Sequence, residues 1–503
     1  MRSKNAFKNI AISLLSQAVI IICGFIVPRL IIQTYGSATN GLINSITQFL
    51  AYITLLESGF GPVVKSILYK PIAEKNKKRI EIILKSAEKF FRKIALIFIG
   101  YIGILCLIYP TIVDNQFDTW YTISLLIIIA FSIFAEYFFG MTYSLYLQSM
   151  QKTYISTFIQ IATTILSTCA VLLLINLGCS IQIVKLATAI ILILKPIIQN
   201  YYVKKKYHIN INAAKGNYAI KQKWDGLAQH IASVVHGNTD IIVLSVFSTM
   251  KEVSVYSVYF LVIKGVKNLA QAFNNGIDAS FGDMLAKKEH ETIRKKIASY
   301  ELFYHTIISI IFICTISLIS PFVAVYTTGI NDTDYIKPIF GAIITIAEFI
   351  WAIRLPYSTI TLAAGHFKQT TKGAWVEASL NIVISVILVP YLGITGVAVG
   401  TAIAMLVRTI EFMIYSSRHI VKRSVVKPFS WLTLIIVESI IAFSIINALQ
   451  LKYPTTYSEW AAQAIIVFII ATATVITINL LTHFKEARDL AETFRKIVTR
   501  RKG

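Results

Sequence analysis

Acidic residues are scarce in this chain of 503 residues: 25 Asp and Glu stand against 48 Lys and Arg, a formal net charge of +23. Charged residues of both signs make up only 15%, while 56% are hydrophobic. A soluble domain has less apolar content and no reason for repeated apolar runs of about twenty residues. Cysteine is sparse too. Cys23, Cys106, Cys169, Cys179 and Cys314 show no CxxC spacing, and four of them fall in apolar runs, so neither a disulfide framework nor a metal site is implied. The HExxH, GxSxG and Walker patterns are missing. Without an ATP site, movement of a cargo would rest on a gradient or on binding alone. Long hydrophilic stretches are missing on one side as well, the longest there being 449–459. Membrane glycosyltransferases and polymerases need a large outer loop for their chemistry, so that class is disfavoured.

What the chain does contain is apolar runs, at 9–32, 41–64, 93–110, 121–147, 154–176, 180–200, 225–248, 253–282, 298–326, 338–364, 373–390, 394–416, 428–448 and 460–482. One spanning helix needs roughly 20 residues, so the expectation is an all-α polytopic membrane protein with about fourteen transmembrane helices. The termini and alternate loops hold 38 Lys and Arg, whereas the opposite loops hold only Lys251, Lys337 and Lys452. This asymmetry predicts that both termini and the basic loops are cytoplasmic. Charge confined to alternate loops argues for the lipid bilayer and against nucleic acid as the partner. Five of six tryptophans (Trp120, Trp224, Trp375, Trp431 and Trp460) sit at expected helix ends, as an interfacial belt requires. The first apolar run has no small-residue cleavage site and reads as an uncleaved first span. The tail 484–502 reads as a basic amphipathic helix on the inner leaflet.

The chain reads as two similar parts. Leu177-Gly178 and the helix through Lys195-Pro196 parallel Leu392-Gly393 and the helix through Arg408, at an offset of about 215 residues. The segment 201–224, with Lys204, Lys205 and Lys206, lies between them. The expected division is 1–210 as a first lobe of six helices, 211–427 as a second, and 428–503 as two further helices with the basic tail. Parallel repeats of this kind place a binding site between lobes and alternate its access.

Charges inside the runs are the functional signal, because a cation in hydrocarbon is costly and usually faces an interior path. Lys264, Lys267, Gln271, Asn274 (or Asn275) and Asp278 recur at spacings of three or four, on one face of one helix. Such a stripe is either a wall offering ammonium groups to an anion or interhelical glue. Arg29 and Lys185 lie near outer ends and are as suited to anchoring as to binding. Lys195 precedes Pro196, where a kink would free a carbonyl, and Arg354 shares a face with Ser358 and Thr361. Arg408 has Glu411 one turn on, so an ion pair competes with substrate contact. The acids Glu57, Glu136, Asp240, Glu348, Glu377 and Glu438 permit extensive pairing. Glu57, Asp240, Glu348 and Glu377 are candidate ion-coupling groups, with His236 one turn before Asp240 as a relay partner. Gly396 and Gly400, four apart, suit close helix approach better than phosphate binding.

Several segments carry a family likeness. They are Glu377 to Ser385 followed by Leu392-Gly393-Ile-Thr-Gly396 to Thr401, then Pro28-Arg29-Leu30, Tyr35-Gly36, Asn40-Gly41, Leu56-Glu57-Ser58-Gly59, and Asn238-Thr-Asp240. On these the chain resembles the Wzx-like polysaccharide transporters of the MOP superfamily, related to MurJ and the MATE exporters. The resemblance implies two six-helix lobes in a V shape around a cationic cavity, plus two C-terminal helices. It implies flipping of undecaprenyl-diphosphate-linked glycans between leaflets, with other polysaccharide-assembly proteins as further partners. A diphosphate prefers cationic donors in a dry cavity, for which Arg29, Lys195, Lys264, Lys267, Arg354 and Arg408 are the candidates. Gln271 and Asn274 would serve sugar hydroxyls. No cofactor is expected, and Na⁺, H⁺ or no ion at all remain open for coupling. The alternative is a MATE-like multidrug antiporter with Asp240 or Glu57 as the coupling acid, although the lysine-rich face departs from that pattern.

Overall fold

The computed structural model describes residues 2–57, 59–113, 116–211, 227–286, 290–484 and 486–488. Among them are helices and no strands, as a chain in lipid requires when every backbone group must be satisfied within its own segment. Among the described residues, twelve helices are long and apolar enough to cross a membrane. Their surfaces are apolar outward: Leu107, Leu173, Ile440 and Leu481 are exposed. Outward-facing leucine and isoleucine over whole helices suits hydrocarbon and not water, and the chain is a multi-pass membrane protein.

The chain forms two compact units, Met1–Ser254 and Val255–Gly503. The first contains α1 (Arg2–Tyr35), α2 (Ser37–Ala51), α3 (Phe60–Ala73), α4 (Lys77–Val113), α5 (Thr119–Ala135), α6 (Met141–Ser149), α7 (Thr153–Asn176), α8 (Ile181–Tyr207) and α9 (Leu227–Phe247). Helix α10 (Met250–Ala286) begins at its end and continues into the second. That second unit holds α11 (His290–Tyr326), α12 (Pro338–Ala363), α13 (Thr371–Leu392), α14 (Ile394–Tyr415), α15 (Val426–Ala448) and α16 (Tyr457–Thr482).

Two of the fourteen expected runs fall outside the twelve apolar spans. The run 41–64 is not one helix. After α2 the chain tightens into a 3-10 segment, Tyr52–Glu57, and restarts as α3. The restart is at Gly59, whose φ of +73° lies in the left-handed region that favours glycine. The run 225–248 holds α9, of which Gly237–Phe247 is a short apolar helix among the described residues. It packs on α2 within the first unit through a polar seam. Ser45 and Ser245 share a 2.6 Å hydrogen bond, Tyr109 donates to Ser45, and Asn40 donates to Ser254. Gly41 lies beneath this seam: a Cβ there would meet the Met250 carbonyl oxygen at 1.7 Å.

Basic segments read as loops are partly helical. Helix α4 starts at Lys77, and α8 runs to Tyr207 through Lys204, Lys205 and Lys206. It also runs on through Pro196. Most of the segment between the halves, 212–226, lies outside the described residues, as do Lys485 and 489–503 of the basic tail.

Left-handed residues mark where helices stop, and they recur. Gln151 and Gly365, Gly178 and Gly393, and His208 and Lys422 all have positive φ, with spacings of 214, 215 and 214 residues. Each pair ends equivalent helices of the two parts. The backbone thus repeats the offset read from the side-chain pattern, with Gly at both positions in only one of the three pairs.

Candidate functional site

Position along α10 sets out its polar residues. Lys264 is exposed, Gln271 half-buried and Asn274 buried. The side chains of His236, Asn275 and Asp278, expected as functional candidates, lie outside the described residues. Lys264 has no carboxylate partner among the described residues. Lys267 is different: its Nζ lies 2.8 Å from Glu348 Oε2 on α12 and 4.7 Å above the Trp351 ring. Glu348 is 2% exposed, so its charge is balanced by that ammonium at close range. Asn274 donates to Thr359 at 2.7 Å and accepts from Tyr300 at 2.9 Å, tying α10 to α12 and α11. One face of α10 therefore combines an exposed ammonium, a paired ammonium over an aromatic ring, and an amide used as glue.

A second set of charges joins α12, α13 and α14. Arg354 donates to Glu377 Oε1 at 2.7 Å, and Arg408 Nε lies 3.5 Å from Oε2 of the same carboxylate. Arg408 also pairs with Glu411 and donates to the Thr370 carbonyl at 2.8 Å. One carboxylate thus bridges two guanidinium groups. Three residues assigned to binding or coupling on sequence grounds are here held by each other. Asn381, one turn beyond Glu377, donates to Thr401 on α14 at 2.8 Å. The two helices approach closely because Gly400 faces Ser385, whose Oγ would stand 2.4 Å from an added Cβ.

The first unit gathers its candidates at two irregular turns. The 3-10 segment ends at Glu57, and between α5 and α6 the chain widens into a π turn, Glu136–Gly140. Such irregularities recur at functional sites. Tyr137 of the π turn hydrogen-bonds to Glu57, and Oε2 of Glu57 is buried with no partner among the described residues. Lys195 on α8 reaches Glu136 Oε1 at 3.3 Å. Beside them is a cavity of about 260 Å³ lined by Glu57, Gly59, Lys65, Phe91 and Met141 among others. Asp240 on α9 is 6% exposed and follows Thr239, which meets Tyr52 of the 3-10 segment at 3.4 Å. Arg29 is half-buried on α1 and already has an interaction partner.

The tightest buried ion pair was absent from the sequence candidates. Arg423 Nη1 donates to Glu301 Oε2 at 2.6 Å, and Nη2 binds the other carboxylate oxygen. His305 and Tyr357 sit beside this fork, 3.3 Å apart, with the Trp431 ring against His305. Glu301 falls about three turns inside α11 and Arg423 just past a π turn, Ser416–Val421. A bidentate arginine in that setting fastens the end of α14 to α11. Its only signal in the sequence was a carboxylate at the edge of an apolar run.

No family model matches the chain, and no curated protein does. Solved structures do. The chain is similar to the lipid II flippase MurJ in an inward closed conformation, with 16% identity, a TM-score of 0.70, and coverage of 97% of this chain and 100% of that one. It is similar to a multidrug resistance MATE family transporter of the MOP superfamily in an inward-facing conformation, with 14% identity, a TM-score of 0.60, and coverage of 78% and 93%. A MOP superfamily transporter from Pyrococcus furiosus, described by the reverse polarity of its binding pocket, shares 12% identity with a TM-score of 0.54 over 84% and 97%. At these identities the likeness establishes architecture: the chain has the fold of MurJ and the MATE transporters.

Proposed function

We propose that this protein is a transporter that flips undecaprenyl-diphosphate-linked oligosaccharide repeat units from the inner to the outer leaflet by alternating access. Lys264 carries the reading. Lys195, Lys267, Arg354 and Arg408 each have a carboxylate within 3.5 Å, which cancels most of their attraction for an anion. Lys264 has no carboxylate partner among the described residues and lies on the same helix three residues before Lys267, whose ammonium stands over the Trp351 ring. An ammonium suits a diphosphate, and an aromatic face suits the apolar face of a sugar ring. The similarity in fold to a lipid II flippase is in keeping with a lipid-linked cargo. The family resemblance implies the bacterial cytoplasmic membrane, and the lysine and arginine asymmetry supports both termini lying inside.

Charge reversal tests the reading. Lys264→Glu and Lys267→Glu are expressed in a strain lacking the native protein, with membrane levels matched to wild type. The expected result is loss of surface glycan with lipid-linked precursor retained inside. Unchanged glycan in Lys264→Glu removes α10 as the binding face. A second reading, a cation-coupled multidrug antiporter, is favoured by the buried Oε2 of Glu57 beside its cavity. It predicts normal glycan in the deletion strain and drug sensitivity in Glu57→Gln.

A further inference from the structure

The second unit holds a cavity of about 410 Å³ where α11, α12, α15 and α16 meet the 449–456 connection. Its walls divide by chemistry. Leu318, Phe443, Ile446 and Val467 make an apolar lining, whereas Ser320, Asn447, Gln450, Gln463 and Lys452 gather at one end. The volume matches a small-molecule site rather than a water pocket. No carboxylate lines it, and Lys452 has no acidic partner among the described residues. Asp334 and Glu459, acids at the neighbouring helix connections, are engaged elsewhere. Asp334 lies 3.1 Å from Lys337, and Glu459 accepts from the Thr455 amide and hydroxyl at 2.7 and 3.0 Å.

The rim is fixed before anything binds. Gln463 donates to the Lys452 carbonyl at 2.6 Å, and Gln450 turns the chain with φ of 45°. The Trp460 indole donates to the Leu318 carbonyl at 3.3 Å, joining α16 to α11. A preorganised cavity with apolar walls, amides and one uncompensated ammonium matches an amphiphile with a negative head. We infer that this cavity binds the phosphate head of an anionic phospholipid from the leaflet on the lysine-poor side, with Lys452 as its counter-charge. The site is separate from α10 and independent of which cargo the protein carries.

Native mass spectrometry of the purified full-length chain, exchanged from mixed phosphatidylglycerol and phosphatidylcholine micelles, tests this. One lysine near a membrane surface is worth about a fivefold preference for the anionic lipid, which the wild type is expected to show. Lys452→Glu abolishes that preference. Asn447→Trp, an exposed rim position, closes the cavity and abolishes retention with the lysine intact. Lys337→Gln, whose ammonium is already paired with Asp334, leaves retention unchanged. Equal retention of the two lipids by wild type, or undiminished phosphatidylglycerol in Lys452→Glu, overturns the inference. A third arm offers a long-chain isoprenyl phosphate. Retention of that lipid in place of phosphatidylglycerol overturns the phospholipid assignment and gives the cavity to a carrier lipid.

Discussion

Loss of the Glu377 carboxylate strands a buried charge in the second unit. It stands 2.7 Å from Arg354 and 3.5 Å from Arg408, all three buried on α12, α13 and α14. Glu377→Gln removes the charge and keeps the shape. Arg354 then has no carboxylate among the described residues, while Arg408 retains Glu411 and the Thr370 carbonyl. Stranding one buried guanidinium costs about 3–5 kcal/mol. For a unit of this size that lowers the thermal midpoint by on the order of 10 °C. Arg354→Met is milder, because Glu377 then keeps Arg408 as its partner. The double variant Arg354→Met/Glu377→Gln recovers part of the loss, because the stranded charge is gone. The assay is the midpoint of thermal unfolding in detergent, read by fluorescence-detected size exclusion. The expected order from most to least stable is wild type, Arg354→Met, the double variant, Glu377→Gln. If Arg354→Met is as damaging as Glu377→Gln, the carboxylate is not shared, and the bridge between the two arginines is wrong.

Two other perturbations follow from geometry of a different kind. Gly41→Ala drives a methyl against the Met250 carbonyl, a backbone atom that cannot rotate away, and costs about 1–3 kcal/mol in the same assay. Gly265→Ala, with nothing within 4 Å of its Cβ, is neutral or stabilising by up to about 1 kcal/mol; equal effects at the two glycines refute the close approach of α2. His483 follows α16 and stacks on Trp431 at 4.2 Å, and burial holds its imidazole below the ordinary histidine value of 6.5. The folded state therefore favours the neutral ring. That contribution is complete above the ordinary value and is lost as pH falls through it toward the folded value. The thermal midpoint of wild type should drop more than that of His483→Gln between pH 7.5 and pH 5, on the order of a few degrees, and parallel curves would remove His483 from the account.

The helices were legible because hydropathy is a local property of about twenty residues. The breaks were less so. Leu56-Glu57-Ser58-Gly59 stood in plain view inside an apolar run, yet nothing short of the left-handed Gly59 separates a continuous helix from a 3-10 segment and a restart. Ends were blurred for a related reason. A hydropathy window stops where charge begins, whereas α4 and α8 continue through lysines into the headgroup region, where the side chains snorkel. The candidate site was legible as faces and illegible as partners. Spacing of three and four put Lys264, Lys267, Gln271 and Asn274 on one side of α10, and paired Arg408 with Glu411 within its own helix. It could not join Lys267 to Glu348, Arg354 to Glu377, or Arg423 to Glu301 across 122 residues. Those pairings depend on how helices rotate against one another.

Partnership, more than presence, then decides what a membrane cation does. Seven cations in the apolar runs invite the idea of a generally positive path. Once Lys195, Lys267, Arg354 and Arg408 are matched with Glu136, Glu348, Glu377 and Glu411, the net field of those eight groups is small. On the proposed reading, attraction for an anion falls to the cations left over, and Lys264 on α10 is the exposed one without a carboxylate among the described residues. The matched groups have a different use. Glu348 joins α12 to α10 through Lys267, and Glu377 joins α13 to α12 and α14, so these pairs fix how the helices are rotated against one another. A substitution at Glu377 and one at Lys264 should therefore both silence a transport assay and yet separate in the thermal one, where only the first lowers the midpoint.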